Sequence, residues 1–361
     1  MNNLVENIKD IIIQTATPQG IGNGFYLSDY KLIITNLSLT YGANEVVISA
    51  KHVPKTMAKV LFTDSVFDLA FIKAPESILL SDVKFAKKES IKKDDELKRI
   101  TQFYGSPLRL DTAVITNIAT NKQNIDYLQY SIDKSATNKG GLLINRDNEI
   151  VGFDSFFSAD EKRYYALPVH LLKQTLDEFK ELSGKTAFRC PGCKQIIEQT
   201  SIKQQNCPIC KAKIPDPISL GTKYEPTPTG LKIEEIIRKL NYEVAISRAG
   251  LNTWEIEEGS TVIRVRHDTD NQFIVADAVL CKIPDKNKSG IYEYLLKENN
   301  YLKGLSFKLK DESIILSMPH ILESDFHVNS ASRQFKELFN KADDYDDILI
   351  EMGAVSLNDE D

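Results

Sequence analysis

From Gly22 to Val169 the chain runs through a series of short apolar segments: GFYLS, KLIITN, EVVISA, AKVLF, LAFIKA, ELKRITQF, TAVITNI, DYLQYSI, GLLIN, IVGFDSFF and YYALPV. Many short segments rich in β-branched residues predict strands in series, and hence an all-β barrel or sandwich. Turn residues separate them, as at Ser28-Asp29-Tyr30, Tyr41-Gly42-Ala43-Asn44, Tyr104-Gly105-Ser106-Pro107 and Asn145-Arg146-Asp147-Asn148. After Pro168 the period lengthens, with Leu171, Leu172, Leu176 and Phe179 at helical spacing, so one helix closes the β region.

A second pattern begins at Leu231. It reads as a helix (LKIEEIIRKLN), strands (EVAISRA, TWEIEEG, TVIRVRH, FIVADAVLCKI), a helix (IYEYLLKENNYL), strands (LSFKLKD, SIILSM) and a last helix over 331–350. Phe335, Leu338, Phe339 and Tyr345 share one face of that last helix. This predicts an α+β domain with helices on an antiparallel sheet. The expected layout is a β domain over 1–183, a cysteine-rich segment over 186–214, a Pro- and Thr-rich linker over 215–229, the α+β domain over 230–352 and an acidic tail over 353–361.

Composition changes this picture little. With 361 residues, 42% of them hydrophobic and 27% charged, the chain is long enough for two or three globular domains and has no apolar run of the roughly 18 residues that a membrane helix needs. A net charge of −6 argues against a general nucleic-acid binder. The first twenty residues lack the charged start, apolar middle and cleavage site of a secretory signal, from which a cytoplasmic location is expected.

The most specific motif is Cys190-Pro-Gly-Cys193, thirteen intervening residues, then Cys207-Pro-Ile-Cys210. Two such knuckles aim four thiolates at one point, the pattern of a structural zinc ribbon with no coordination position open for water. A disulfide pair or a redox dithiol is the competing reading, disfavoured by the expected cytoplasmic setting and by the lack of a βαβ context. Lys194, Lys203, Lys211 and Lys213 near the knuckles read as solubilising charges, so nucleic acid is not the expected partner. Cys281, alone in an apolar strand, reads as a core thiol.

Over about residues 5–180 the order of segments resembles the HtrA/Deg branch of trypsin-like serine proteases, which implies a double β-barrel. GIGNGFYLSDYKLIITN is similar to the family's glycine-rich hairpin and the Thr-Asn that precedes the catalytic histidine, AKVLFTDSVFDLAFIKA to the segment around its aspartate, and NKGGLLINRDNEIVGF to its nucleophile loop. The resemblance puts Ser38 where the family has its histidine, Asp68 at the aspartate, and Lys139 at the serine of Gly-Asn-Ser-Gly-Gly-Pro, which here becomes Thr137-Asn138-Lys139-Gly140-Gly141-Leu142. The loop from Asp133 to Lys139 is also about two residues shorter than the family's, which puts its oxyanion hole in doubt.

Serine-protease chemistry needs a hydroxyl nucleophile, an imidazole base and an orienting carboxylate. Only the carboxylate has its counterpart, so the expectation is a catalytically inactive, protease-like protein that binds protein or extended peptide, or serves as scaffold. His52 and His170 read as surface residues. The alternative is an active serine-type endopeptidase with unconventional residues, for which Ser135 or Thr137 beside Lys139 would form a Ser-Lys pair.

Residues 228–352 are similar to the YbjN-like domains, with the fold of type III secretion chaperones, through GLNTWEIEEGSTVIRV, LCKIPDKN, IYEYLLKENNYLKGLSFKL and SIILSMPHILESDF. The resemblance implies protein binding, including a homodimer through this domain. Trp254 reads as a core residue, and His267, His320 and His327 are too dispersed for a metal site.

Overall fold

The computed structural model describes residues 11–50, 53–76, 84–88, 91–102, 108–120, 125–132, 140–214, 224–259, 261–284, 286, 288–310 and 312–357. Two compact units divide the chain, Met1–Lys223 and Tyr224–Asp361.

The first unit opens with β1 (Ile12–Thr17), β2 (Gly20–Leu27), β3 (Leu32–Asn36), the one-turn helix α1 (Leu37–Thr40), β4 (Glu45–Ala50), β5 (Val53–Asp64) and β6 (Leu69–Lys73). These strands pair in the order β5-β4-β1-β2-β3-β6, and β5 also pairs with β6, so the sheet closes into an antiparallel six-stranded barrel. The second barrel follows with β7 (Lys84–Phe85), β8 (Glu96–Gln102), β9 (Leu108–Thr120), β10 (Asp126–Ile132), β11 (Leu142–Ile144), β12 (Glu149–Ser158) and β13 (Arg163–Pro168). It pairs as β11-β8-β9-β10-β13-β12 and closes through β11 and β12, with β7 added in parallel to β12. Full closure leaves no long unpaired edge around either barrel. The expected apolar segments fall in these strands, while β1 and the two-residue β7 were not among them.

Helix α2 (Val169–Lys180) follows β13 and buries Val169, Leu172, Leu176 and Phe179, close to the expected apolar face. Phe62 of β5 is fully buried between Phe71, at 4.8 Å between ring centres, and Phe179 of α2, at 5.3 Å. Two short strands, β14 (Ala187–Arg189) and β15 (Ile196–Glu198), then carry the cysteine segment, and β14 extends the first barrel's sheet by pairing in parallel with β5, Ala187 opposite Phe62 and Phe188 opposite Thr63.

The second unit is built on an antiparallel sheet. Its elements are α3 (Pro228–Lys239), α4 (Val244–Ser247), β16 (Thr253–Glu258), β17 (Thr261–Asp268), β18 (Phe273–Lys282), α5 (Lys288–Tyr301), β19 (Ser306–Lys310), β20 (Ser313–Ser317), β21 (Ile321–Leu322), α6 (Val328–Glu351) and β22 (Val355–Ser356). The sheet runs β16-β17-β18-β20-β19, and α6 packs on β18 and against α3. Phe335, Leu338, Phe339 and Tyr345 are all buried beneath α6. One segment departs from its pattern: EVAISRA, expected as a strand, contains the single turn α4, because the Glu243 carboxylate accepts from the Ala245 amide at 3.3 Å while Ser247 Oγ donates to the Glu243 carbonyl at 2.9 Å. Local side-chain bonds of this kind compete with a strand. Val355 and Ser356, expected in the tail, pair with Lys282 and Cys281.

Among the described residues no helix is long and apolar enough to cross a membrane. The linker expected over 215–229 lies outside the described residues up to 223, as does the tail from 358. Truncating Phe62 to Ala removes a ring that ties the first barrel to α2; its cost is expected to be about 3–5 kcal/mol, read from urea unfolding of the chain.

Candidate functional site

The register of the first barrel builds the site. β3 and β6 pair with Asn36 opposite Leu69 and Thr35 opposite Ala70, so the turn entering β6 and the turn leaving β3 come together. Asp68 ends the β5–β6 turn with φ +54°, a left-handed conformation that a short polar residue tolerates. Its Oδ1 accepts from the Ser38 amide at 2.7 Å and its Oδ2 from Ser38 Oγ at 3.1 Å and Asn36 Nδ2 at 3.2 Å. The carboxylate therefore takes a backbone amide of α1 on one oxygen and the Ser38 hydroxyl and Asn36 side chain on the other. Ser38 is exposed and does not take up a proton near neutral pH, so this pair supplies no general base.

The second barrel closes on the same place. Asn36 Nδ2 also donates to the Asp154 carbonyl at 2.9 Å, and the Gln102 amide donates to Asn23 Oδ1 at 2.9 Å, two bonds that cross between the barrels. Gly140 and Gly141 thread this seam. A side chain at Gly140, which has φ +81°, would stand 2.2 Å from the Asn23 carbonyl oxygen, and one at Gly141 would stand 2.1 Å from Asp154 Oδ2. Both positions require glycine on contact grounds alone. Lys139, with Ser135 and Thr137, lies outside the described residues, as does His52; His170 opens α2, half-buried.

Beneath Gly141 is a charged cluster that the strand pattern does not announce. Arg99 of β8, 1% exposed, donates through Nε to Asp154 Oδ2 at 2.7 Å and to the Tyr130 hydroxyl at 3.2 Å, and its NH2 lies 2.7 Å from the same carboxylate oxygen. Tyr130 donates in turn to Asp154 Oδ1. Burial, with the adjacent Asp154 charge, holds the Tyr130 phenol well above its ordinary range. Nearby, burial pushes the Tyr127 phenol up to about 12 against its hydrogen bond with Ser155, and the charges of Asp64 and Asp68 add to the rise. Beyond Asp154, the Phe156–Ser158 stretch of β12 pairs with β13 on one side. Phe156 and Phe157 there are each 48% exposed; Phe156 stacks on Tyr165 at 4.6 Å, and Phe157 meets Tyr164 at 4.7 Å with the rings tilted by 45°.

The four cysteines converge. Their Sγ atoms all lie within 4.8 Å of one another, with Cys190 and Cys210 3.7 Å apart and Cys193 and Cys207 3.8 Å apart. The two knuckles repeat one geometry: the Cys190 amide bonds to the Gln195 carbonyl and the Cys207 amide to the Ala212 carbonyl, while Lys194 and Lys211 each take φ +63°. Burial works against the Cys207 thiolate, but the amides of Cys210 and Ile209 aim at its sulfur and bring its pKa down to about 6. This donor set can hold a metal ion. Lys194, Lys203, Lys211 and Lys213 are exposed around it.

Arg189, which the motif did not single out, anchors this segment to the barrel. It donates to Asp64 Oδ2 at 2.6 Å, Glu178 at 3.1 Å, Thr175 Oγ1 at 3.0 Å and the Lys194 carbonyl at 2.7 Å, over the ring of Phe67 at 5.1 Å.

In the second unit, Trp254 is fully buried with its indole N–H 3.3 Å from Glu234, and Cys281 is fully buried, its thiol pushed up to about 12 by burial and by the Asp346 charge. His267 is buried beside Glu323 at 3.3 Å, His320 stacks on Phe273, and His327 caps α6 without a side-chain bond. The structure does not bring these three imidazoles into one site.

The family described as the trypsin-like peptidase domain matches residues 22–153. A probable periplasmic serine endoprotease, DegP-like, of Pseudomonas fulva is 27% identical over 180 residues, 47% of this chain and 36% of that protein. Serine protease HTRA1B of Danio rerio is 26% identical over 46% of this chain and 37% of its own. The chain thus spans little more than a third of the length of these relatives. Among solved structures, an HtrA-type protease with a tripeptide gives a TM-score of 0.45 at 19% identity, covering 51% of this chain and 64% of that one. The first unit is thus similar to the trypsin-like peptidase domains of HtrA/DegP type. The expected cytoplasmic location is corrected by the same finding: relatives named as periplasmic, from Pseudomonas and from Halomonas elongata, point to a periplasmic or secreted one. The composition of the first twenty residues does not decide a compartment, and the argument it supplied against disulfides falls with it.

Replacing Arg99 by Met strands the Asp154 carboxylate in the seam; the expected cost is about 3–5 kcal/mol in urea unfolding, and adding Asp154→Asn recovers part of it because the buried charge is gone.

Proposed function

We propose that the first unit is a protease-like module without serine-protease chemistry that binds extended peptide along β12, and that its four cysteines hold a structural zinc ion. The observation that carries the first part is the occupation of Asp68. The carboxylate that would orient a catalytic imidazole instead accepts from the amide and hydroxyl of Ser38 and from Asn36. Lys139, which the resemblance puts in the nucleophile position, is an amine and attacks a carbonyl carbon only once a base has deprotonated it.

Peptide binding needs neither group. A strand laid against Ser155–Phe157 would take main-chain hydrogen bonds from β12, while the exposed rings of Phe156 and Phe157 offer apolar contacts to alternate side chains. The names of the relatives, serine endoproteases, support a protein or peptide as the ligand, and they also keep a second reading in view: an active serine-type endopeptidase using Ser135 or Thr137 with Lys139.

For the metal, the geometry supports zinc. Four Zn–S arms of about 2.3 Å directed to the corners of a tetrahedron set the sulfurs about 3.8 Å apart. The cross-knuckle separations of 3.7 and 3.8 Å meet that requirement and are far from the ~2.05 Å of a disulfide. All four positions are taken by protein, so the ion folds the segment and leaves no site for water.

The second unit is assigned to protein binding, including self-association, on its resemblance to YbjN-like domains. A groove of about 350 Å³ between α5 and β19, lined by Tyr292, Leu295, Leu296, Phe307 and Leu309, supports that assignment.

Two measurements follow. Metal analysis of the purified chain should give one zinc per chain, and Cys207→Ser should lose it together with the ordered fold of residues 186–214; a full chain with intact thiols and no zinc contradicts the assignment. In a titration with unfolded-protein peptides followed by NMR, the shifts should centre on β12, and Phe156→Ser with Phe157→Ser should weaken binding by about tenfold; shifts confined elsewhere contradict the peptide site.

A further inference from the structure

The geometry points to Arg189 as a positioning residue that couples the four-cysteine segment to the turn carrying Asp68, so that the state of the cysteine site sets the shape of the seam between the barrels. The inference rests on the proposed metal only for what changes that state; the latch itself is protein.

Arg189 is the residue before Cys190, and one of its NH1 bonds goes to the carbonyl of Lys194, the residue after Cys193. Its guanidinium is thus bonded to the first knuckle and spans from there into the barrel. There Nε meets Asp64 Oδ2 at 2.6 Å, with Arg189 6% and Asp64 0% exposed, and NH2 meets Thr175 Oγ1. The other oxygen of Asp64 accepts from the amides of Val66 and Phe67 at 2.9 and 3.1 Å. Those amides belong to the β5–β6 turn, which ends at Asp68, and Phe67 lies under the guanidinium.

From Asp68 the chain of bonds continues to Ser38, Asn36 and, through Asn36, the Asp154 carbonyl of the second barrel. The links at Arg189, Asp64 and the Asp154 carbonyl are buried or partly buried, where an unpaired partner is costly, while those from Asp68 to Ser38 are exposed. An ordered first knuckle holds Cys190 and the Lys194 carbonyl, and so holds Arg189. A released knuckle frees both ends of that hold and leaves the buried Asp64 carboxylate, with the two turn amides on it, to rearrange. Parallel pairing of β14 with β5 adds a second, backbone route along the same line.

The test is amide hydrogen exchange on the full chain, with zinc content measured in parallel. In wild type, chelation is expected to speed exchange at Val66, Phe67 and Ser38 by about tenfold or more, while Ile100 in the second barrel stays unchanged as the control for folding. In Arg189→Met with zinc bound, those three amides should already exchange at the faster rate, and chelation should add little. Arg189→Lys keeps a positive charge near Asp64 but cannot bridge both ends, and should likewise lose most of the response to chelation. Zinc that leaves without changing the turn, or a turn that responds equally in Arg189→Met and wild type, overturns the coupling. A chain that takes up no zinc contradicts the metal assignment alone, and the latch is then read from Arg189→Met without chelation, where unchanged exchange overturns it.

Discussion

One side-chain amide ties the structure of the first unit together. Asn36 ends β3, and its Nδ2 donates at once to the Asp68 carboxylate in its own barrel and to the Asp154 carbonyl in the other. Two closed barrels have satisfied their backbone groups internally and meet across a seam where polar groups must find partners or pay a desolvation cost. Asn36 and Asn23 meet that requirement from the first barrel, and Gly140 and Gly141 permit the close approach from the second. Everything proposed for β12 depends on this seam: Asp68 is held there by Ser38 and Asn36, and Asn36 also bonds the Asp154 carbonyl of β12.

The barrels were legible because their strands alternate or run apolar between strong turn residues. Closure fixes which strands lie together once their number and order are given. The position of Ser38 opposite Asp68 was legible only through the resemblance of the flanking segments to HtrA proteases, and the structure places the two side chains in contact. The seam cluster was not anticipated, although there was a signal: Arg99 and Asp154 are opposite charges, each beside an apolar residue, Ile100 in LKRI and Phe153 in GFDSFF. Buried charges of opposite sign in separate strands have reason to be partners, but nothing local says which pair. Arg189 was hidden for a different reason. Nothing in the cysteine motif marks it, and it points inward where β14 docks on β5. In the second unit the strand pattern of EVAISRA lost to local bonds of Glu243 and Ser247, which no periodicity records.

The cysteine segment is integrated with the barrel more closely than its motif suggests. It shares a sheet with β5, it places a guanidinium on the buried Asp64, and its two knuckles repeat the same backbone geometry around a common point. A segment this small has too little apolar interior to hold that shape by burial alone, so the barrel surface, and the zinc ion proposed for the four thiolates, would be complementary sources of order. The seam at Asn36 and the cysteine site are then two ends of one path through Arg189, Asp64 and Asp68.

The proposal that the first unit does not cut peptide bonds is tested most directly by hydrolysis of an unfolded protein with the chain supplied with zinc, from a protease-free preparation, and with the Ser135→Ala, Thr137→Ala, Lys139→Ala variant as the blank. The account predicts that both preparations are equally silent. Cleavage by the unaltered chain that disappears in the variant would contradict it, and would place a nucleophile in the loop leading to Gly140.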